Sequence, residues 1–295
     1  MATAVRGLSA LRVYLEMIKF EHSIFALPFA MVGMMWASSA TFQSPWPGWW
    51  IFSWIVVAMV SCRSAAMAFN RIADRNIDAE NPRTKMRALP AGLLSLRQTN
   101  IFFYASCILF FVAAGMLNPL ALALTPVALG VTLFYSVTKR FTWLCHFILG
   151  LSLGIAPAAA WIATSGKLQP GIIAITGAVL LWTAGFDIIY ALQDIDFDRE
   201  HKLHSLPEKV GKATALLISR LCHIWAIACL IFGGLNTGAG PIFYVGVGLA
   251  ACLLLYEQSL VKPNDLSKVN LAFFTLNGFV SIGVFVFALI DQLVR

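Results

Sequence analysis

The chain has 295 residues, of which 59% are apolar and only 12% charged, with a mean hydropathy of +0.79 and a formal net charge of +7. Apolar runs this long and continuous exclude a soluble globule and call for a membrane protein. The positive charge gathers in the connections between runs, so it reports topology and makes no case for nucleic-acid binding.

Residues 1–19 put Leu8, Leu11, Leu15 and Ile18 on one helical face, the pattern of a short amphipathic lead-in at the membrane surface. Nine apolar runs follow, near 22–40, 49–69, 100–117, 120–137, 146–164, 171–190, 214–233, 239–256 and 271–290. Lipid offers no water to the backbone, so these runs are expected to be helices rather than strands. No A-x-A site follows the first run, which therefore reads as a span and not as a cleaved signal. With the N-terminus in the cytoplasm, 19 of the 21 Lys and Arg residues fall on cytosolic segments and helix ends; only Lys167 and Arg295 lie outside. The outer connections are short and nearly uncharged, with Trp46, Trp49 and Trp50 at interfacial depth. Connections 79–99 and 199–213 are long and basic, so chemistry is expected to face the cytoplasm. Six cysteines lie in or beside apolar runs without a CxxC pair and read as small apolar residues.

The second span closes on RSAAMAFNRIADRNID, residues 63–78. As a helix this stretch keeps Arg63, Asn70, Asp74 and Asp78 within roughly 80° of one another. Carboxylates at a helix C-terminus are disfavoured unless a cation offsets them. At the end of the fourth span stand Tyr135, Lys139 and Arg140. The sixth span closes on DIIYALQDIDFD, residues 187–198, where Asp187, Asp194 and Asp198 fall within about 40° while Asp196 points to the opposite side. An ionisable group inside a span usually faces the bundle interior, and Asp187 lies deepest.

The two acidic stretches resemble each other. Asp74-x-x-x-Asp78 recurs as Asp194-x-x-x-Asp198, and the following KMRALP, residues 85–90, recurs as KLHSLP, residues 202–207. Each follows an even-numbered span, which points to a weak parallel internal repeat of two four-helix units and a ninth helix. Both stripes meeting at one cavity would gather carboxylates that cannot all remain ionised without cations. All-oxygen ligands (Asn70, Asp74, Asp78, Asp194 and Asp198) suit a hard Mg²⁺ ion that shares its shell with phosphate oxygens. Lys85, Arg87, Tyr135, Lys139, Arg140 and Lys202 then make a diphosphate-binding rim. Arg63 could bind diphosphate, bind an acceptor carboxylate, or pair with an Asp.

The pattern resembles the UbiA superfamily of intramembrane prenyltransferases. NRIADRNID is similar to its first motif, N-D-x-x-D-x-x-x-D, and DIIYALQDIDFD to its second, D-x-x-x-x-x-x-D-x-x-x-D, with YSVTKR after the fourth span. Two departures are visible: Arg71 replaces the usual Asp, and KFEHSIFALPFA stands where many 4-hydroxybenzoate enzymes carry Arg-Leu-x-x-Pro-x-Gly. The resemblance implies a single all-α domain over 1–295, with nine transmembrane helices around a central cavity capped by loops 79–99 and 199–213. It further implies Mg²⁺-dependent transfer of a polyprenyl group from its diphosphate to 4-hydroxybenzoate or a dihydroxynaphthoate in quinone synthesis. A bacterial inner membrane with a cytosolic active site and an outer C-terminus is the implied location. Asp187 would position or deprotonate the acceptor, or join the metal shell. The competing class is a proton- or Na⁺-coupled transporter, which explains buried acids but not two DxxxD copies followed by basic loops.

Overall fold

The structure, a computed structural model, describes residues 8–18 and 25–295; Arg6, Lys19, His22 and Ser23 lie outside them. Its helices are α1 (Leu8–Met17), α2 (Leu27–Phe42), α3 (Trp49–Ala73), α4 (Arg75–Glu80), α5 (Leu96–Gly115), α6 (Pro119–Thr138) and α7 (Cys145–Ser165). They continue as α8 (Pro170–Ala191), α9 (Ile195–Glu200), α10 (Leu206–Val210), α11 (Lys212–Thr237), α12 (Pro241–Leu260) and α13 (Asn277–Val294). A π-helical turn, Leu271–Leu276, leads into α13. The described residues contain no strand beyond one isolated bridge between Lys262 and Asp265.

Among the described residues, eight helices are long and apolar enough to cross a membrane. The first of the nine expected spans corresponds to α2, which has only 16 residues. Protein covers α2 from Pro28 through Ser38, so it is the hub of the bundle rather than a lipid-facing rod. Close approach explains how: a side chain on Gly33 would overlap the backbone of Pro157 in α7, and one on Gly150 would overlap Leu180 in α8. Small residues give this contact when lipid supplies no hydrophobic drive between helices. By contrast, α5 and α6 turn Ile108, Leu122, Val127 and Phe134 outwards.

Helix ends follow local chemistry. Ser95 and Gln98 form a reciprocal capping box at the start of α5. Asn118 caps α6 ahead of Pro119, and Gly166 ends α7 in the left-handed conformation (φ 69°). Trp49 is 73% exposed at the end of the bundle opposite the acidic motifs, where an interfacial tryptophan belongs. All six cysteines are free thiols.

The expected repeat is visible in the helices themselves. In order, α7, α8, α11 and α12 begin roughly 120 residues after α2, α3, α5 and α6, with α13 as the ninth unit. Both acidic motifs bend the chain at the first Asp of their Asp-x-x-x-Asp pair. Asp74 (φ −93°, ψ 8°) and Asp194 (φ −102°, ψ 4°) share the sparsely allowed bridge conformation, and each precedes a six-residue helix. The bends bring α4 and α9 to the mouth of one cavity, where Ile77, Asp78 and Phe197 line it. His201 stacks on Phe197 and meets Glu80 at 3.1 Å, tying the two short helices together.

Candidate active site

One cavity of about 210 Å³ opens where α3, α6, α7 and α8 end beneath α4 and α9. Asn70, Asp74, Asp78, Asp187 and Asp194 line it, as do Tyr135, Arg87, Lys139 and Arg140. Four carboxylates in so small a space demand compensation, and each has a basic partner. Arg140 Nη2 meets Asp74 Oδ1 at 3.1 Å, and Arg87 Nη1 meets Asp78 Oδ1 at 2.8 Å. Arg83 grips Asp194 with two bonds, Nε to Oδ1 at 3.2 Å and Nη2 to Oδ2 at 2.8 Å. His146 Nδ1 lies 2.6 Å from Asp187 Oδ2.

The electrostatics follow from burial against these partners. Burial raises the Asp74 carboxyl above the usual range, and the hydrogen bond from Arg140 opposes that shift. For Arg83, burial alone would disfavour the charge, but the facing Asp194 outweighs it and holds the guanidinium pKa above its ordinary value. The rim therefore stays cationic. Arg71 adds a cation where the motif resembled in the sequence has an acid. It is buried, donates to Asn70 Oδ1 at 2.9 Å, and stands 4.0 Å from Asp78. Asn70 in turn donates to Asp74 Oδ2 at 2.8 Å, so its amide is engaged at both ends.

The model of the UbiA prenyltransferase family matches residues 26–279. The chain belongs to the UbiA prenyltransferase family. A 4-hydroxybenzoate octaprenyltransferase of Vibrio atlanticus (strain LGP32) is 30% identical over 234 residues, covering 78% of this chain and 82% of that protein. The apo structure of a UbiA homologue from Aeropyrum pernix K1 superposes with a TM-score of 0.82 at 35% identity, over 92% of this chain and 98% of the other. A UbiA homologue from Archaeoglobus fulgidus bound to GPP and Mg²⁺ shares the fold, with a TM-score of 0.70 at 19% identity over 95% and 99% of the two chains.

In this UbiA protein the tertiary structure redistributes the residues singled out from sequence. Asn70, Asp74, Asp78, Asp187, Asp194, Arg87, Tyr135, Lys139 and Arg140 converge on the cavity. Asp198 does not. The bend at Asp194 breaks the helical register, and Asp198 ends fully buried against Lys139 Nζ at 2.6 Å, behind the cavity wall. Lys85 and Lys202 are exposed and line no part of the cavity. Arg63 lies half-buried about two turns before Asn70 and is likewise absent from the lining. Asp196 is exposed, as its position across the helix implies.

Two lining residues that hold carboxylates, Arg83 and His146, escaped the sequence reading. Arg83 was hidden among the many basic residues of its loop. His146 carried a usable signal, an ionisable ring in the first turn of an apolar span.

Proposed function

We propose that the protein transfers a polyprenyl group from a polyprenyl diphosphate to a hydroxylated aromatic acid, with 4-hydroxybenzoate as the best candidate, and releases diphosphate. One observation carries this reading: a small cavity at the basic end of the bundle gathers four carboxylates together with the cations Arg83, Arg87, Lys139 and Arg140. The name of the Vibrio atlanticus relative supports the acceptor. The positive-inside pattern supports a cytosolic active site and N-terminus, an outer C-terminus and a bacterial inner membrane as the location.

The donor set fits Mg²⁺ in kind, because Asp74, Asp78 and Asp194 offer only oxygen. Among the described residues no three acidic, His or Cys side chains already converge at metal distance, since each carboxylate is held by a cation. Binding therefore requires an exchange of partners. Carboxylates would turn to the metal, and Arg83, Arg87 and Arg140 would turn to the diphosphate oxygens, where guanidinium forks bind well, while Lys139 stays with the buried Asp198. When bound, Mg²⁺ supplies Lewis-acid stabilisation of the charge developing on the departing diphosphate.

The remaining work falls to the chain itself. The rim cations hold the diphosphate, and the Phe25, Trp182, Phe186 and Phe273 cluster keeps water from the apolar side below Tyr190. Asp187 accepts the hydrogen bond of the acceptor hydroxyl and takes its proton as the ring carbon beside it bonds to C1 of the prenyl group. The C1–oxygen bond breaks with its electron pair leaving on diphosphate. The proton on the newly bonded carbon then moves to restore the hydroxyl, and one proton is released in all.

Purified protein given a polyprenyl diphosphate, Mg²⁺ and separate aromatic acceptors should release diphosphate only with an acceptor present, and best with 4-hydroxybenzoate. Unchanged turnover in excess EDTA would overturn the metal assignment. Proton or Na⁺ flux in liposomes without prenyl transfer would overturn the enzyme.

A further inference from the structure

We infer that His146 is a positioning residue, a neutral imidazole fixed in one tautomer that aims Asp187 at the acceptor and couples it to the second cytosolic loop. The inference rests on the proposed acceptor role of Asp187 and goes beyond it.

The two ring nitrogens of His146 have different kinds of partner. Nε2 lies 3.2 Å from the backbone nitrogen of Leu206. A backbone N–H can only donate, so Nε2 must present its lone pair. The ring proton then sits on Nδ1, which faces Asp187 Oδ2 at 2.6 Å. The imidazole is therefore neutral and donates, and the carboxylate accepts. The bond engages Oδ2 and leaves Oδ1 for a ligand in the cavity. Such a hydrogen bond fixes carboxylate orientation and tautomer together, as it does for histidines whose far nitrogen is held by another group.

Leu206 is the first residue of α10, so its N–H is one of the amides a helix leaves without an internal partner. His146 supplies the missing acceptor. The loop before it is stitched to the same wall: the His204 amide donates to the Lys139 carbonyl at 2.7 Å, and Cys145 Sγ lies 3.6 Å from the His204 carbonyl. Leu206 itself is buried with Ile188, Ile189, Leu192 and Leu216. The chain from 204 to 206 thus sets the imidazole, and the imidazole sets Asp187.

A buried histidine that merely completes a helix end makes a different prediction, because then only the Nε2 contact matters. Asn in place of His puts an amide N–H where Nδ1 was and loses the acceptor for Leu206. Gln reaches the Nε2 position and loses the donor to Asp187. Turnover and KM for each substrate should be measured in wild type, Asp187→Asn, His146→Asn, His146→Gln and His146→Phe. The expected result is that His146→Asn keeps most of kcat, while His146→Gln and His146→Phe lose roughly 10–100-fold, the usual cost of removing an orienting partner. KM for the prenyl diphosphate should be unchanged in all three. Equal losses in Asn and Gln variants, or Gln retaining more than Asn, would overturn the inference.

Nitrogen NMR of histidine-labelled wild type gives an answer even where variants fail to fold. A neutral ring with its proton on Nδ1 is expected, and an imidazolium or an Nε2-protonated ring would overturn it. Normal turnover by Asp187→Asn would instead remove the acceptor role proposed for Asp187, whatever the tautomer of His146.

Discussion

Replacing Arg83 with Met separates holding the fold from holding the substrate. The Arg83 side chain is 38% exposed and that of Asp194 13%, so water and salt screen much of their attraction. Discounted for that exposure, the pair is worth about 1 kcal/mol or less to folding. The expected fall in Tm is accordingly about 2–4 °C or less for a chain of this size. Substrate binding should respond far more. In the proposed exchange the guanidinium leaves Asp194 for a diphosphate oxygen, and a hydrogen bond to a charged group contributes about 1.5–3 kcal/mol. At about 1.4 kcal/mol per tenfold, Kd should rise between about tenfold and a hundredfold. A non-hydrolysable prenyl diphosphate analogue, titrated in detergent with Mg²⁺ present, reads this directly, and a thermal melt of the same sample reads stability. An unchanged Kd would refute the exchange. A large drop in Tm accompanying weak binding would make Arg83 a brace for the motif instead.

Asp74→Ala and Asp194→Ala should each abolish most Mg²⁺-dependent turnover, whereas Asp196→Ala should stay near wild type because that side chain is exposed and away from the cavity. Equal losses at Asp194 and Asp196 in a steady-state assay would contradict the placement of Asp194 in the cavity and Asp196 outside it. Lys139→Met strands Asp198 fully buried without a cation, which should cost about 3–5 kcal/mol, towards the lower figure because Lys139 is itself 34% exposed. Adding Asp198→Asn should recover most of the lost Tm, and a double variant no more stable than the single would refute this pairing.

Much of this protein was legible in the residues alone. Continuous apolar runs force helices because lipid cannot satisfy a backbone, and basic loops mark one side. The two Asp-x-x-x-Asp copies announce both the repeat and the site, since spacing along a helix is a local property that the chain carries with it. Only the tertiary structure decided which cation meets which carboxylate. Arg83 and Asp194 are 111 positions apart, and His146 and Asp187 are 41 apart. No periodicity encodes such pairings; the packing of α7 against α8, with the loop after α4 laid over the cavity, creates them. The bends also took Asp198 out of the stripe to which a straight helix assigned it. An ideal helix carries register through a residue, but Asp194 in the bridge conformation does not. α2 shows the same division between sequence and structure. Its apolar composition said membrane, but only the glycine contact with Pro157 made it the buried hub.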